Sequence, residues 1–150
     1  MQTSSPDGPA EVVIASDHGE SRSIQEMIIS QLRQFGFDDK EIFGIRLSLE
    51  EAFVNAIKHG NRMDQSKKIR LRFNVGPDRF EIAITDEGNG YDPTAVPDPL
   101  ADENLERPNG RGLFLMKHYM TEVTVHPPGN HVTMCKIRRH AQSNRSSRDC

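Results

Sequence analysis

Three short segments carry side chains whose types and spacing could do chemistry. The first is Glu50-Glu51-Ala52-Phe53-Val54-Asn55-Ala56. Glu51 and Asn55 are four apart, so on a helix they stack on one face. Asparagine is mildly unfavourable inside a helix, and this one neighbours Ala52, Phe53 and Ala56, where leucine would pack better. Either the pair faces solvent, or Asn55 offers an amide oxygen to Mg²⁺ one turn from a carboxylate base, Glu51. The second segment is Asp86-Glu87-Gly88-Asn89-Gly90. It is an ordinary Asp/Gly turn, or two glycines that let a ligand approach the backbone beside an Asp that accepts from a ligand amino group. The third is Gly110-Arg111-Gly112-Leu113. A glycine pair before a helix is a flexible hinge, or it bares N–H groups that bind an anion.

Other chemistries lack their residues. There is no G-x-x-x-x-G-K-[ST] phosphate loop and no His-Glu-x-x-His, and the two cysteines, Cys135 and Cys150, cannot make a structural zinc site. Lone histidines such as His18 and His118 are more often ordinary surface or core residues than ligands. The cysteines form no disulfide framework and suggest a reducing compartment. Nineteen Lys and Arg against 22 Asp and Glu leave a net charge of −3, so no global positive field draws the chain to nucleic acid. The apolar stretches fall well short of the roughly 18 residues that span a bilayer, and Met1 to Pro9 has neither the basic nor the apolar part of a signal peptide. These features point to a cytoplasmic protein with no membrane segment.

The 150 residues allow one domain. Residues 1–10 and the basic tail 140–150 are too polar to offset the entropy of ordering, which puts the folded body at 11–139. Residues 11–16 read as a strand. Ile24, Ile28, Leu32 and Phe35 then form a helical stripe that stops at Gly36. Asp38 and Glu41 have the spacing of a capping box, Phe37 and Ile42 that of a hydrophobic staple. They open a helix over about 38–59, with Ile45, Leu49, Ala52, Phe53 and Ala56 inward, Lys58 and His59 in the last turn and Gly60 as the stop.

A period of two replaces this pattern. Ile69, Leu71, Phe73 and Val75, then Phe80, Ile82 and Ile84, predict a hairpin with one buried face. Residues 91–109 carry four prolines and no apolar period, and a loop of that length is usually functional. A helix from Gly110–Leu113 to about Met120 and two strands near 121–126 and 131–138, joined by a turn at Pro127-Pro128-Gly129-Asn130, complete the order βααββαββ. The fold class is α+β: a two-layer sandwich with a mixed, mostly antiparallel sheet and helices on one face.

Together, E-x-x-x-N on a helix, strand-terminal D-x-G-x-G, a long lid and G-x-G-L opening a helix resemble the GHKL superfamily of ATP-binding domains, over about 11–139. The stretch from Ser48 to Asn61 (SLEEAFVNAIKHGN) and the small size resemble most the bacterial anti-sigma-factor serine kinases. The resemblance implies ATP and Mg²⁺ as cofactors. It implies that Asn55 ligates Mg²⁺, Glu51 is the general base, and Asp86 accepts a hydrogen bond from the adenine amino group. Gly88 and Gly90 would make the turn beside adenine and ribose, Gly110 and Gly112, with Arg111 and Leu113, would face the phosphates, and Thr133 would help to hold adenine. Lys58, His59, Arg107 and Arg111 are further cations within reach of the phosphates or simply solvated.

The resemblance further implies a kinase that phosphorylates a STAS-domain antagonist, sequesters a sigma factor and forms a homodimer. No segment suits the dimerisation helices of a sensor histidine kinase or a second domain. A second reading is a non-catalytic ATP/ADP-gated binding module. A third, that Arg138, Arg139, Arg145 and Arg148 bind nucleic acid, is weaker than a solubilising tail.

Overall fold

A computed structural model of the chain describes residues 9–88 and 108–138. The expected loose ends and the body of the expected lid lie outside these residues. The elements are β1 (Ala10–Ala15), α1 (His18–Gln34), α2 (Asp39–Val54), β2 (Lys68–Val75), β3 (Arg79–Thr85), α3 (Pro108–Tyr119), β4 (Glu122–His126) and β5 (His131–Ile137). Between α2 and β2, Asn55–Gly60 continues the helix as a π-helical turn. β1 thus begins one residue before the expected body.

The strands form one sheet in the order β1-β2-β3-β5-β4, and every pairing is antiparallel. The expected mixed, mostly antiparallel sheet is thereby corrected to a wholly antiparallel one among the described residues. After α3 the chain arrives at the far edge as β4 and turns back as β5 between β4 and β3, so both contacts of β5 are antiparallel. Register puts Leu71 opposite Val12 and Ile84, and Ile82 opposite Phe73 and Met134. All of these are buried, while Arg70, Arg72 and Asn74 on the other face are exposed. The helices cover the apolar face with Ile24, Ile28 and Leu32 from α1, Ile45, Leu49 and Phe53 from α2, and Leu113, Met116 and Met120 from the α3 region. Each such side chain contributes about 1.5–3 kcal/mol of transfer free energy.

Local signals set the helix ends. Asp38 accepts from the Glu41 N–H at 2.7 Å while Glu41 accepts from the Asp38 N–H at 3.0 Å, so the expected capping box is present. Phe37 and Ile42, the staple pair, are both buried. Gly36 has a φ of +87°, the left-handed stop that glycine supplies. Phe35 departs from its expected inward stripe: α1 ends at Gln34, and Phe35, now the cap, is 43 % exposed.

Two further expectations are corrected. Arg138, grouped with the tail arginines in the nucleic-acid reading, is held by the body. Its guanidinium donates to the carbonyls of Phe35, Gly36 and Pro77 and lies 4.6 Å from the Phe37 ring centroid. Cys135 is disulfide-bonded, against the expectation of no disulfide framework and a reducing compartment.

Asp38→Ala removes the side-chain acceptor of the capping box and leaves the Glu41 N–H without it, so urea unfolding should show a loss of about 1 kcal/mol with an unchanged denaturant slope.

Candidate active site

The site begins where α2 widens. The Asn61 N–H reaches back five residues to the Ala56 carbonyl at 2.8 Å, the signature of a π turn, and such turns recur at functional positions. Asn55 opens this turn. Its side-chain oxygen is buried and has no hydrogen-bond partner among the described residues. One turn earlier stands Glu51, half-buried. Burial, with help from the neighbouring Glu50 charge, pushes its carboxyl above the usual glutamate range.

Gly112 of α3 closes over both residues. A Cβ there would lie 2.6 Å from Glu51 Oε2 and 3.2 Å from Asn55 Nδ2, so only glycine lets the α3 backbone come this close. At the other end of the same helix pair, Gly44 lies against Tyr119 in the same manner. An unpartnered amide oxygen is a hard donor of the kind Mg²⁺ takes, and Mg²⁺ commonly uses one or two protein ligands and completes its shell with phosphate and water. Asn55 and the space at Gly112 therefore fit such an ion.

Asp86 stands at the opposite end of the cleft, just past β3. Burial raises its carboxyl above the usual aspartate range, opposed by the Gly88 N–H, which donates to Oδ1 at 2.7 Å, and by the Lys67 charge. Gly60, the last residue of the π turn, presses its backbone against this carboxylate, and a Cβ there would fall inside it. A Cβ on Gly88 would likewise fall inside the Gly60 carbonyl. From the sheet side, Asn130 holds the Asp86 backbone twice, accepting from its N–H at 2.9 Å and donating Nδ2 to its carbonyl at 3.1 Å. Between Asn55 and Asp86 the cleft has an apolar floor that includes Ala56, Ile84, Met116 and Val132. A flat heteroaromatic ring with a polar edge suits that floor, with a charged tail toward Asn55.

Of the residues expected from sequence, Glu51, Asn55, Asp86, Gly88 and Gly112 line this region together. Leu113 packs in the core instead. Gly90 lies outside the described residues. Gly110 and Arg111 fall within the first turn of α3, which starts at Pro108, so the glycines sit inside the helix rather than ahead of it. Lys58 and His59 are both exposed, and His59 borders the cleft.

Thr133 is not brought to the cleft. It pairs with Ala83 on the outer face, while Ile84 and Val132, one residue along each strand, face inward. Its hydroxyl meets His126 Nε2 at 2.9 Å. Asn130 occupies the sheet-side position instead. Sequence reasoning took Asn130 as turn filler after Pro127-Pro128-Gly129, and took Gly60 only as a helix stop.

These features define a two-layer α+β domain with its cleft between the end of a helix and the sheet, as in ATPase modules. The family model of the histidine kinase-like ATPase domain matches residues 14–136, and the chain belongs to that family. Among curated relatives, the serine-protein kinase RsbW of Bacillus subtilis is 31% identical over 100 residues, covering 61% of this chain and 61% of that protein. RsbW of Staphylococcus aureus is 32% identical over 114 residues, covering 71% and 70%, and that of Staphylococcus epidermidis is 34% identical over 109 residues, covering 68% and 67%. The match thus spans about 61% of the length of the Bacillus subtilis relative. A crystal structure of the RsbU and RsbW domains of a Mycobacterium tuberculosis protein shares the fold, with a TM-score of 0.58 at 16% identity, covering 87% of this chain and 32% of that one. Among the described residues, no helix is long and apolar enough to cross a membrane.

Gly60→Ala should force the short Asp86 side chain out of place. Calorimetry with Mg-ATP should then show affinity reduced by about 10-fold or more, the equivalent of one displaced hydrogen bond.

Proposed function

We propose that the chain is an ATP-dependent protein serine/threonine kinase and anti-sigma factor, which phosphorylates a STAS-domain antagonist in a partner-switching system. The observation that carries this reading is the buried, unpartnered oxygen of Asn55, one turn from the half-buried Glu51 and under the same glycine of α3. A pure nucleotide-binding site has no need of a base beside its metal ligand. The curated relatives named serine-protein kinases support the same class.

In this reading adenine lies on the apolar floor with its amino group donating to Asp86, and the triphosphate runs toward Asn55. When bound, Mg²⁺ on Asn55 neutralises charge on the phosphate oxygens. The acceptor hydroxyl of a serine or threonine on the partner lies against Glu51. The hydroxyl oxygen forms a bond to the γ-phosphorus, the bond from that phosphorus to the β,γ-bridging oxygen breaks, and Glu51 takes up the hydroxyl proton as ADP departs. Positioning and charge stabilisation carry most of such a transfer. Gly112 keeps the α3 backbone tight on Glu51 and limits water at the reacting hydroxyl.

The raised carboxyl of Glu51 suits a base, because burial increases its affinity for a proton. Phosphorylation adds a dianion to the antagonist and so disrupts its interface with the kinase. The unphosphorylated antagonist would then displace a sigma factor, and a homodimer of this chain would be the switching unit.

Transfer of γ-phosphate from ATP to a STAS-domain protein tests the proposal. Nucleotide binding with no phosphate on any STAS candidate would favour the non-catalytic module. Glu51→Gln should cut transfer by roughly 10²–10⁴-fold, with Mg-ATP affinity changed by less than about 3-fold, well under 1 kcal/mol. The ionised form is the active one, so the wild-type rate should fall as pH drops through the raised Glu51 value. That acid limb should lie above the ordinary glutamate value of about 4.3 and disappear in the variant.

A further inference from the structure

We infer that Asn61 is a positioning residue that sets nucleobase selectivity through Asp86, an inference that rests on the reading of Asp86 as the acceptor for the adenine amino group. The Asn61 side chain is fully buried, and both ends of its amide are used. Nδ2 donates to the Lys68 carbonyl at 3.1 Å, and Oδ1 accepts from the Glu87 N–H at 2.8 Å. The Glu87 carboxylate in turn accepts from the Lys68 N–H. Asn61, Lys68 and Glu87 therefore close a ring that ties the end of the π turn to the start of β2 and to the loop after β3.

Asp86 lies inside that ring's reach. Its successor in the chain is held by Asn61, and its carboxylate rests against Gly60, the predecessor of Asn61. Two strained residues follow: Arg62 and Met63 have φ values of 54° and 62°, although neither is glycine. Such conformations persist where the surroundings over-determine them, and they gather at functional sites. Here they let the Met63 N–H return to the Ile57 carbonyl at 2.7 Å and keep Asn61 pointing inward. Asn130 fixes the Asp86 backbone from the sheet side, while the Asn61 ring fixes Glu87 and the residue that follows the wall at Gly60.

The consequence is chemical. A carboxylate held in one rotamer accepts from an exocyclic amino group and repels a carbonyl oxygen at the same place. Adenine presents the amino group there, and hypoxanthine presents the oxygen. A carboxylate free to turn away loses the first interaction and relieves the second. An amide is needed at position 61 because it must donate and accept at once, which neither a carboxylate nor an alkyl chain does.

The test is calorimetric titration of the full chain with Mg-ATP and with Mg-ITP. Wild type should prefer ATP, and Asp86→Asn should abolish the preference. Asn61→Ala should weaken ATP by about 10-fold while changing ITP by less than about 3-fold. A purely structural role would weaken both nucleotides alike, leaving their ratio unmoved, and would overturn the inference. Glu87→Ala breaks the same ring at an exposed side chain and serves if Asn61→Ala does not fold. It should shift the ratio in the same direction, and an unchanged ratio counts against the inference. If Asp86→Asn abolishes the preference but neither ring variant alters it, only the role of Asn61 falls. If Asp86→Asn leaves the preference intact, the adenine reading falls and takes this inference with it.

Discussion

A buried amide oxygen without a partner organises this molecule. Leaving such a group unsatisfied costs about 1–3 kcal/mol, a large part of the stability of a domain this size. At Asn55 a leucine or alanine would remove that cost, and the flanking Ala52 and Ala56 show that the helix face accepts apolar residues there. The arrangement becomes intelligible if the oxygen has a partner when the protein works. Much of the neighbourhood then follows. The helix widens into a π turn at this residue, α3 approaches through Gly112, and Gly44 beside Tyr119 lets the same two helices stay close at their other end.

The cleft's electrostatics follow the same logic. Glu51 and Asp86 both lose solvation, and both hold protons more tightly than free carboxyls. Among the described residues no ion pair is formed by either, although the Lys67 charge acts on Asp86, so each is an acceptor kept in place largely by backbone. For Glu51 that means affinity for a hydroxyl proton. For Asp86 it means affinity for an N–H donor, with the Gly88 N–H keeping the charge from being lost altogether. In the proposed function, two carboxylates with the same direction of shift would thus serve different tasks, separated by which atoms can reach them.

Much of this was legible in the sequence because it is local. The capping box at Asp38 and Glu41, the stop at Gly36 and the alternation through β2 and β3 depend on neighbours within a few residues. The pairing of Glu51 with Asn55 needed only helical spacing. What escaped depended on register or on distant contacts. Thr133 looked suitable by type, but a shift of one residue in a strand sends a side chain to the opposite face, and the register that decides it comes from pairing with Ala83. The π turn escaped because its cause lies in Asn61, whose partners are Lys68 and Glu87. Gly60 looked like a helix stop, and its closeness to Asp86 appears only when β3 lies beside the turn. Phe35 fell off its stripe because the helix ended one residue sooner.

These misses share a physical origin. Local signals decide where an element starts and which face is apolar, while the functional geometry is set where three elements meet. At this site the end of α2, the loop after β3 and the start of β5 converge on one residue, and most of what they contribute is backbone. Gly60 supplies a wall, Gly88 an N–H and Asn130 its carbonyl together with its side-chain amide. A motif can reveal the carboxylate and the asparagine because chemistry restricts those residue types. It cannot reveal the walls, since many residues can donate a backbone hydrogen bond, and glycine is required only where the packed structure leaves no space for a Cβ.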